Sequence, residues 1–162
     1  MIVADTSALI TLASIDLLGI VLSEFDVHTT ETVVQELEET SEYEDRHGEA
    51  AQTVLNQIRR IDVHETERTN RQSSRIDEGE ATTIEFANNE EADFLITDDL
   101  RALPELQTVV RTNVAISPLI LKALVKRGVL EEEEAVEKLD QAAANRDWLT
   151  APIYRRAKNL FE

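Results

Sequence analysis

Asp5, Glu80, the Asp98–Asp99 pair and a glutamate from residues 33–39 are the side chains best placed by type and spacing to do chemistry. Carboxylates are hard oxygen donors, and several brought together suit Mg²⁺ or Mn²⁺. Asp5 directly follows the apolar start Met1-Ile2-Val3-Ala4 and precedes two small hydroxyl residues, Thr6 and Ser7. In open parallel sheets, ligands bind beyond the carboxyl ends of the strands. A carboxylate there, beside free amides at a helix start, can hold a cation that in turn holds a phosphate. Taken alone, Asp5 is equally a helix cap. Asp98 and Asp99 close a second apolar stretch, and adjacent acids repel unless a cation or well-placed donors offset them. Their plainer role is an acidic turn.

Glu80 is the most telling acid. At about 100° per residue it shares a helix face with Ile84 and Ala87, flanked by Ala81, while Glu78 and Glu85 fall on the opposite side. Aiming a carboxylate at a sheet is expensive without a partner. The alternatives to a cation are a favourable first-turn acid or a buried arginine. The fourth acid comes from the helix carrying Val33, Val34 and Leu37, where Glu36 and Glu38 lie about equally far from the apolar face. Helical geometry leaves both open.

The elements that must position these acids alternate strand and helix, which predicts a parallel sheet with crossover helices. Strands are expected at 1–4, 25–28, 61–64, 94–97 and 114–116. Helices are expected from a Thr6 or Ser7 cap to about residue 18, then from Thr29 or Thr30 through Leu37, and at 50–60 and 77–89. Residues 41–48 read as irregular and 65–75 as a loop carrying Arg68, Arg71 and Arg75. Pro118, just inside a first turn, starts a helix that Gly128 ends, and amphipathic helices follow at 131–144 and 150–161.

Composition bounds the class. At 162 residues with 42% hydrophobic and 4% aromatic residues, the core must be aliphatic. No cysteine is present, which excludes disulfides, thiolate metal sites and cysteine nucleophiles. No apolar run approaches the roughly 20 residues of a membrane span, and an acid interrupts any leader-like start. A cytoplasmic protein with no membrane partner is expected. Sixteen basic residues against 33 acidic ones give a net charge of −17, with lysine only at 122, 126, 138 and 158. Such a balance ordinarily argues against a nucleic-acid partner. Molar salt, with a Debye length of about 3 Å, removes that objection. The glutamate-rich, lysine-poor composition predicts a salt-adapted origin.

Four segments in order resemble the PIN-domain family: Asp5-Thr6-Ser7 after a short strand, Val33-Val34-Gln35-Glu36-Leu37, Glu78-Gly79-Glu80-Ala81, and Leu95-Ile96-Thr97-Asp98-Asp99. The likeness spans about residues 2–128, and the tail from Ser117 through Trp148 resembles a longer Gly-Glu-Ala branch than the minimal VapC toxins. It implies a three-layer α/β/α sandwich with a central parallel sheet over 1–128, and a C-terminal helical extension at 129–162 packed on the same domain. It selects Glu36 over Glu38 and makes Asp99 the principal acid of its pair, with Asp98 assisting as a ligand or as a group that supports the ligands. The implied activity is metal-dependent hydrolysis of RNA phosphodiesters. Asp5, Glu36, Glu80 and Asp99 would be catalytic and hold Mg²⁺ or Mn²⁺, and Thr6, Ser7 and Thr97 would contact the scissile phosphate or the ligands. A toxin role, a cognate antitoxin and a homodimer are further implications of the family. One departure is that basic residues near the acids are sparse.

Other chemistries fit less well. A haloacid-dehalogenase phosphatase needs a second aspartate where Ser7 stands, and a receiver-type signalling module wants its acid pair early. A PIN scaffold that binds RNA or protein without cutting keeps the same acids. His28, His47 and His64 lack ligand spacing and are expected to be structural or exposed. No glycine-rich phosphate loop or nucleophile elbow is present.

Overall fold

In the computed structural model, residues 1–66, 77–99, 101–146, 148 and 151–161 are described. The chain opens with β1 (Ile2–Ala4), α1 (Thr6–Ser14) and α2 (Leu18–Glu24), then β2 (Val27–Thr30), α3 (Glu31–Thr40) and α4 (Arg46–Asn56). A 3₁₀ turn (Ile58–Arg60) leads to β3 (Asp62–His64); α5 (Glu78–Asn89), β4 (Phe94–Ile96), α6 (Leu103–Val109) and β5 (Asn113–Ala115) follow. The C-terminal third is α7 (Pro118–Lys126), α8 (Glu132–Asn145) and α9 (Pro152–Asn159).

All five strands are parallel, in the order β3-β2-β1-β4-β5. The chain therefore starts at the middle of the sheet, fills one side with β2 and β3, and returns to fill the other with β4 and β5. Crossovers diverge between β1 and β4, so a crevice opens at their carboxyl ends. Ile2↔Phe94, Val3↔Leu95 and Ala4↔Ile96 pair there, which sets Asp5 beside the residues that follow Ile96.

Strand side chains alternate between two faces. Val3 and Leu95 join Ala81, Ile84 and Phe86 of α5 and Leu106 of α6 in one buried cluster. Ile2, Ala4 and Ile96 face the other way, into a larger cluster that takes in α1, α4 and α7. This is the expected α/β/α sandwich. Leu139 and Ala142 of α8, Trp148 and Ile153 of α9 belong to that same larger cluster.

Several boundaries differ from those read in the sequence. β2 is Val27–Thr30 rather than 25–28, because α2, which was not anticipated, runs to Glu24 and the two threonines extend the strand. Thr30, one of the two expected caps, accepts from Val33 N at 3.3 Å. The first helix is capped by neither Thr6 nor Ser7: Asp5 Oδ1 accepts from Ala8 N at 3.0 Å. α4 begins at Arg46 within the stretch expected to be irregular, since Asp45 caps it through Gly48 N (2.8 Å). α6 was also missed; its short apolar run lacks a side-chain cap. Gly128 adopts φ +74° and closes α7 with bonds from Gly128 N to Val125 O and Val129 N to Leu124 O, a Schellman ending. The Arg68, Arg71 and Arg75 loop and Thr150 lie outside the described residues. Among the described residues, no single helix is long and apolar enough to cross a membrane.

Candidate metal centre

Asp5 stands at the end of β1, Glu36 on α3, Glu80 on α5 and Asp99 just past β4, and all four line one cleft of about 590 Å³. Each element brings its acid there for a local reason. Asp5 is fixed as the α1 cap. Glu80 is the third residue of α5 and completes a reciprocal capping box: Glu80 N donates to Asp77 Oδ1 (2.8 Å) and Asp77 N to Glu80 Oε2 (3.1 Å). The first-turn role considered for Glu80 is thus real, and it coexists with a position in the cleft. Glu36 is half-buried and turned to the cleft, whereas Glu38 is exposed.

The hydroxyl residues orient the acids. Asp5 Oδ1 also accepts from Ser7 Oγ at 2.8 Å, and Asp5 Oδ2 accepts from Thr97 Oγ1 in a short contact. Ser7 Oγ accepts in turn from Asp98 N (2.9 Å), and Thr97 Oγ1 from Asp99 N (3.2 Å), which ties the ends of β1 and β4 together. Thr6 Oγ1 donates to Glu36 Oε2 in another short contact. The three hydroxyls expected at the phosphate or the ligands therefore bond carboxylates.

Glu36 depends on Gly79. Gly79 N donates to Glu36 Oε1 at 3.0 Å, and a Cβ at position 79 would overlap the Glu36 carboxylate. The glycine of the Gly-Glu-Ala signature has a mechanical role: it leaves room for an acid 43 positions earlier in the chain.

Asp98 is placed differently from its neighbour. Its Oδ1 accepts from Ser117 N (2.7 Å) and its Oδ2 from Ser117 Oγ (2.6 Å), so both oxygens anchor the start of α7. Asp99 Oδ1 accepts from Arg101 N at 3.0 Å, and its carboxyl is in hydrogen-bonding contact with that of Glu80.

Burial sets the charge state. Asp5 is 2% exposed, and desolvation pushes its pKa up to about 7 although Thr97, Ala8 and Ser7 donate to it. Glu80 is driven upward by burial first, then by its bond to Asp99 and the charges of Asp77 and Asp5. Burial alone would raise Asp99, but the bond from Glu80 and the pull of Arg101 outweigh it and hold Asp99 low. Glu80 and Asp99 thus share one proton, as close carboxyl pairs do. Among the described residues, no three of the cleft acids bring ligand oxygens within 4.8 Å of one another. An ion that keeps part of its water shell fits such a ring.

Sequence reasoning missed two cations. Arg101 Nε lies 3.5 Å from Asp99 Oδ1 at the rim. Arg146, at the end of α8, lines the cleft, and its buried Nε has no hydrogen-bond partner among the described residues. Burial lowers the pKa of its guanidinium, with Asp98, Asp5 and Asp99 opposing. Helical periodicity gives no signal for either. Trp148 is 7% exposed and forms part of the cleft wall. His28 and His64, expected to be structural or exposed, lie 2.8 Å from each other (His28 Nδ1 to His64 Nε2). Adjacent parallel strands place His28 opposite Asp62 and Thr30 opposite His64, which a strand register would have revealed.

No curated protein matches the chain. A family model, DUF3368, described as PIN domain, matches residues 1–162. PIN domains are typically nucleases that use divalent metals, in accord with a cleft ringed by carboxylates at the sheet's crossover point. The match runs the whole length of the chain, C-terminal helices included, and the chain belongs to the PIN-domain family.

Proposed function

We propose that the protein is an endoribonuclease that uses Mg²⁺ or Mn²⁺ held by Asp5, Glu36, Glu80 and Asp99. The observation that carries this reading is the gathering of those four acids, from four separate elements, on one cleft. The donor set is all carboxylate oxygen with no histidine or thiolate, which favours a hard cation over zinc or copper. Bound there, a divalent ion lowers the pKa of water and offsets charge on the phosphate.

The chain's own groups divide the remaining work. Thr97 and Ser7 hold Asp5 in one orientation, and Asp5 Oδ2, with one hydrogen bond, keeps a lone pair for a cation. Thr6 and Gly79 do the same for Glu36. The proton shared by Glu80 and Asp99 belongs to the metal-free cleft; with an ion bound in its place, Glu80 would be a carboxylate placed to hold the ion or accept a proton from water. Arg146 supplies positive charge inside the cleft, and its Nε, without a partner among the described residues, is a donor for a phosphate oxygen. Asp98 works at one remove, by fixing α7 against β4 through Ser117.

The likeness to VapC toxins extends the proposal to a toxin with a cognate antitoxin, acting as a homodimer. The net charge of −17 extends it to a protein that works in the cytoplasm of a salt-adapted cell. Assays accordingly belong in molar KCl.

The purified chain with Mn²⁺ is expected to cut single-stranded RNA internally, and Asp99→Asn to lower kcat by about 100-fold or more with the fold intact by circular dichroism. No Mn²⁺-stimulated cleavage, or full activity in Asp99→Asn, would remove the proposal.

Gly79→Ala separates positioning from folding. The added methyl displaces the Glu36 carboxylate, which sits on a flexible stem, while alanine itself favours the helix. The expected result is a thermal midpoint within about 3 °C of wild type and Mn²⁺ affinity about 10-fold weaker. Unchanged affinity would mean that Glu36 has no part in holding the ion.

The pH dependence follows from Asp5. Its folded pKa of about 7 lies above the ordinary 3.8, so the folded state keeps a proton that the unfolded chain releases. Stability from this group is therefore full below about pH 4 and lost as pH rises through 7; Glu80 adds a loss of the same sign. Metal competes with these protons. Without metal, the midpoint should fall from pH 5 to pH 8 in differential scanning calorimetry, and Mn²⁺ should raise it more at pH 8 than at pH 5. An equal Mn²⁺ effect at both pH values would contradict proton–metal competition.

A further inference from the structure

A second group of ligand-type side chains sits at the other end of the strands. Asp26 precedes β2, His28 is its second residue, and Asp62 opens β3 directly opposite His28. The four cleft acids, by contrast, come after strand ends or on helices that leave them. In this second group His28 Nε2 lies 2.8 Å from Asp26 Oδ1 and 3.5 Å from Asp62 Oδ2, and the three ligand atoms all lie within 4.8 Å of one another.

The group is more than two surface acids. The His28 side chain is 10% exposed, so its ring is nine-tenths buried, and its Nε2 faces both carboxylates. Its orientation is fixed from behind. His28 Nδ1 meets His64 Nε2 at 2.8 Å with ring planes 12° apart, and Phe86 of α5 stacks on His64 at 4.2 Å between centroids. Asp26 and Asp62 are 62% and 66% exposed and free to adjust, and among the described residues neither meets a lysine or arginine. A rigid imidazole with two movable carboxylates, and a second group holding the far ring nitrogen, is the division of labour found around metal-binding histidines.

From this geometry we infer that Asp26, His28 and Asp62 form a site for a first-row transition ion such as Zn²⁺, with His64 as the residue that orients His28. Zinc bonds of about 2.0–2.2 Å in a tetrahedron require ligand atoms about 3.3–3.6 Å apart. The His28–Asp62 separation already meets this, and Asp26 needs to retreat by about half an ångström. One imidazole and two carboxylates leave the fourth position to water. The proton balance is simple. With both rings neutral, the ion takes the Nε2 lone pair of His28, whose one ring proton then resides on Nδ1 and is donated to His64 Nε2; the ring proton of His64 resides on its own Nδ1, so the protons relocate within the rings and none is released. Mg²⁺, which prefers oxygen, has little use for such a site, so the two ends of the sheet select different ions. The bound ion clips β3, the edge strand, to β2.

The inference is independent of the nuclease proposal and is tested on the intact chain with excess Mg²⁺ present to occupy the acidic cleft. Zn²⁺ alone is added as probe and read by ¹H–¹⁵N NMR of the imidazole nitrogens and by equilibrium dialysis. One equivalent of Zn²⁺ should move the His28 Nε2 resonance to the metal-bound range. Asp62→Asn, a surface change, should weaken Zn²⁺ binding by about 10-fold or more, and Asp99→Asn should leave it unchanged. An unmoved His28 Nε2 signal, equal affinity in Asp62→Asn, or loss of binding in Asp99→Asn would each overturn the assignment.

Discussion

The rest of the structure is arranged around carboxylates held out of water close to one another. Burying a carboxylate is costly, and burying several together adds repulsion, so each must be answered locally. At the carboxyl ends of β1 and β4 the answers are visible one by one. Asp5 has Ala8 N, Ser7 and Thr97. Glu36 has Thr6 and Gly79 N, and Asp98 has both donors of Ser117. Glu80 and Asp99 answer one another by sharing a proton. Metal-free, the cleft relies on hydrogen bonds, retained protons and Arg146; the divalent cation proposed for it would replace the protons and turn the same cost into affinity.

That constraint explains why small residues matter as much as the acids. Thr6, Ser7, Thr97 and Gly79 carry no charge, yet each determines where a carboxylate oxygen lies. The sheet topology supplies the coarse placement, because the divergence of crossovers between β1 and β4 is where two strand ends can present acids without a helix between them. The C-terminal helices complete the wall: Arg146 and Trp148 reach the cleft from beyond the last strand. The family match over the entire chain accords with this closing role.

Much of this was legible from residue types and period. The strand–helix alternation gave the parallel sandwich, since Val3 and Leu95 face one layer while Ile2, Ala4 and Ile96 face the other. The inward face of Glu80 followed from its spacing to Ile84 and Ala87, and both are buried with it. What escaped depended on contacts between distant segments. Glu36 and Glu38 are indistinguishable on a helical wheel; the difference is Gly79, which lies on another helix. Asp98 and Asp99 differ because Ser117 claims only the first. His28 and His64 looked unrelated until strand register joined them. Arg146 sits at a helix end where periodicity carries no information. Two helix-start errors came from caps: Asp5 and Asp45 start helices that were assigned later first residues.

The most direct test of the account is anomalous scattering from crystals grown with Mn²⁺. The account predicts a peak in the cleft, bonded at about 2.1 Å to oxygens of Asp5 and Asp99, with Glu36 and Glu80 reached directly or through water. A well-formed crystal at saturating Mn²⁺ with no anomalous density between Asp5 and Asp99 would contradict it.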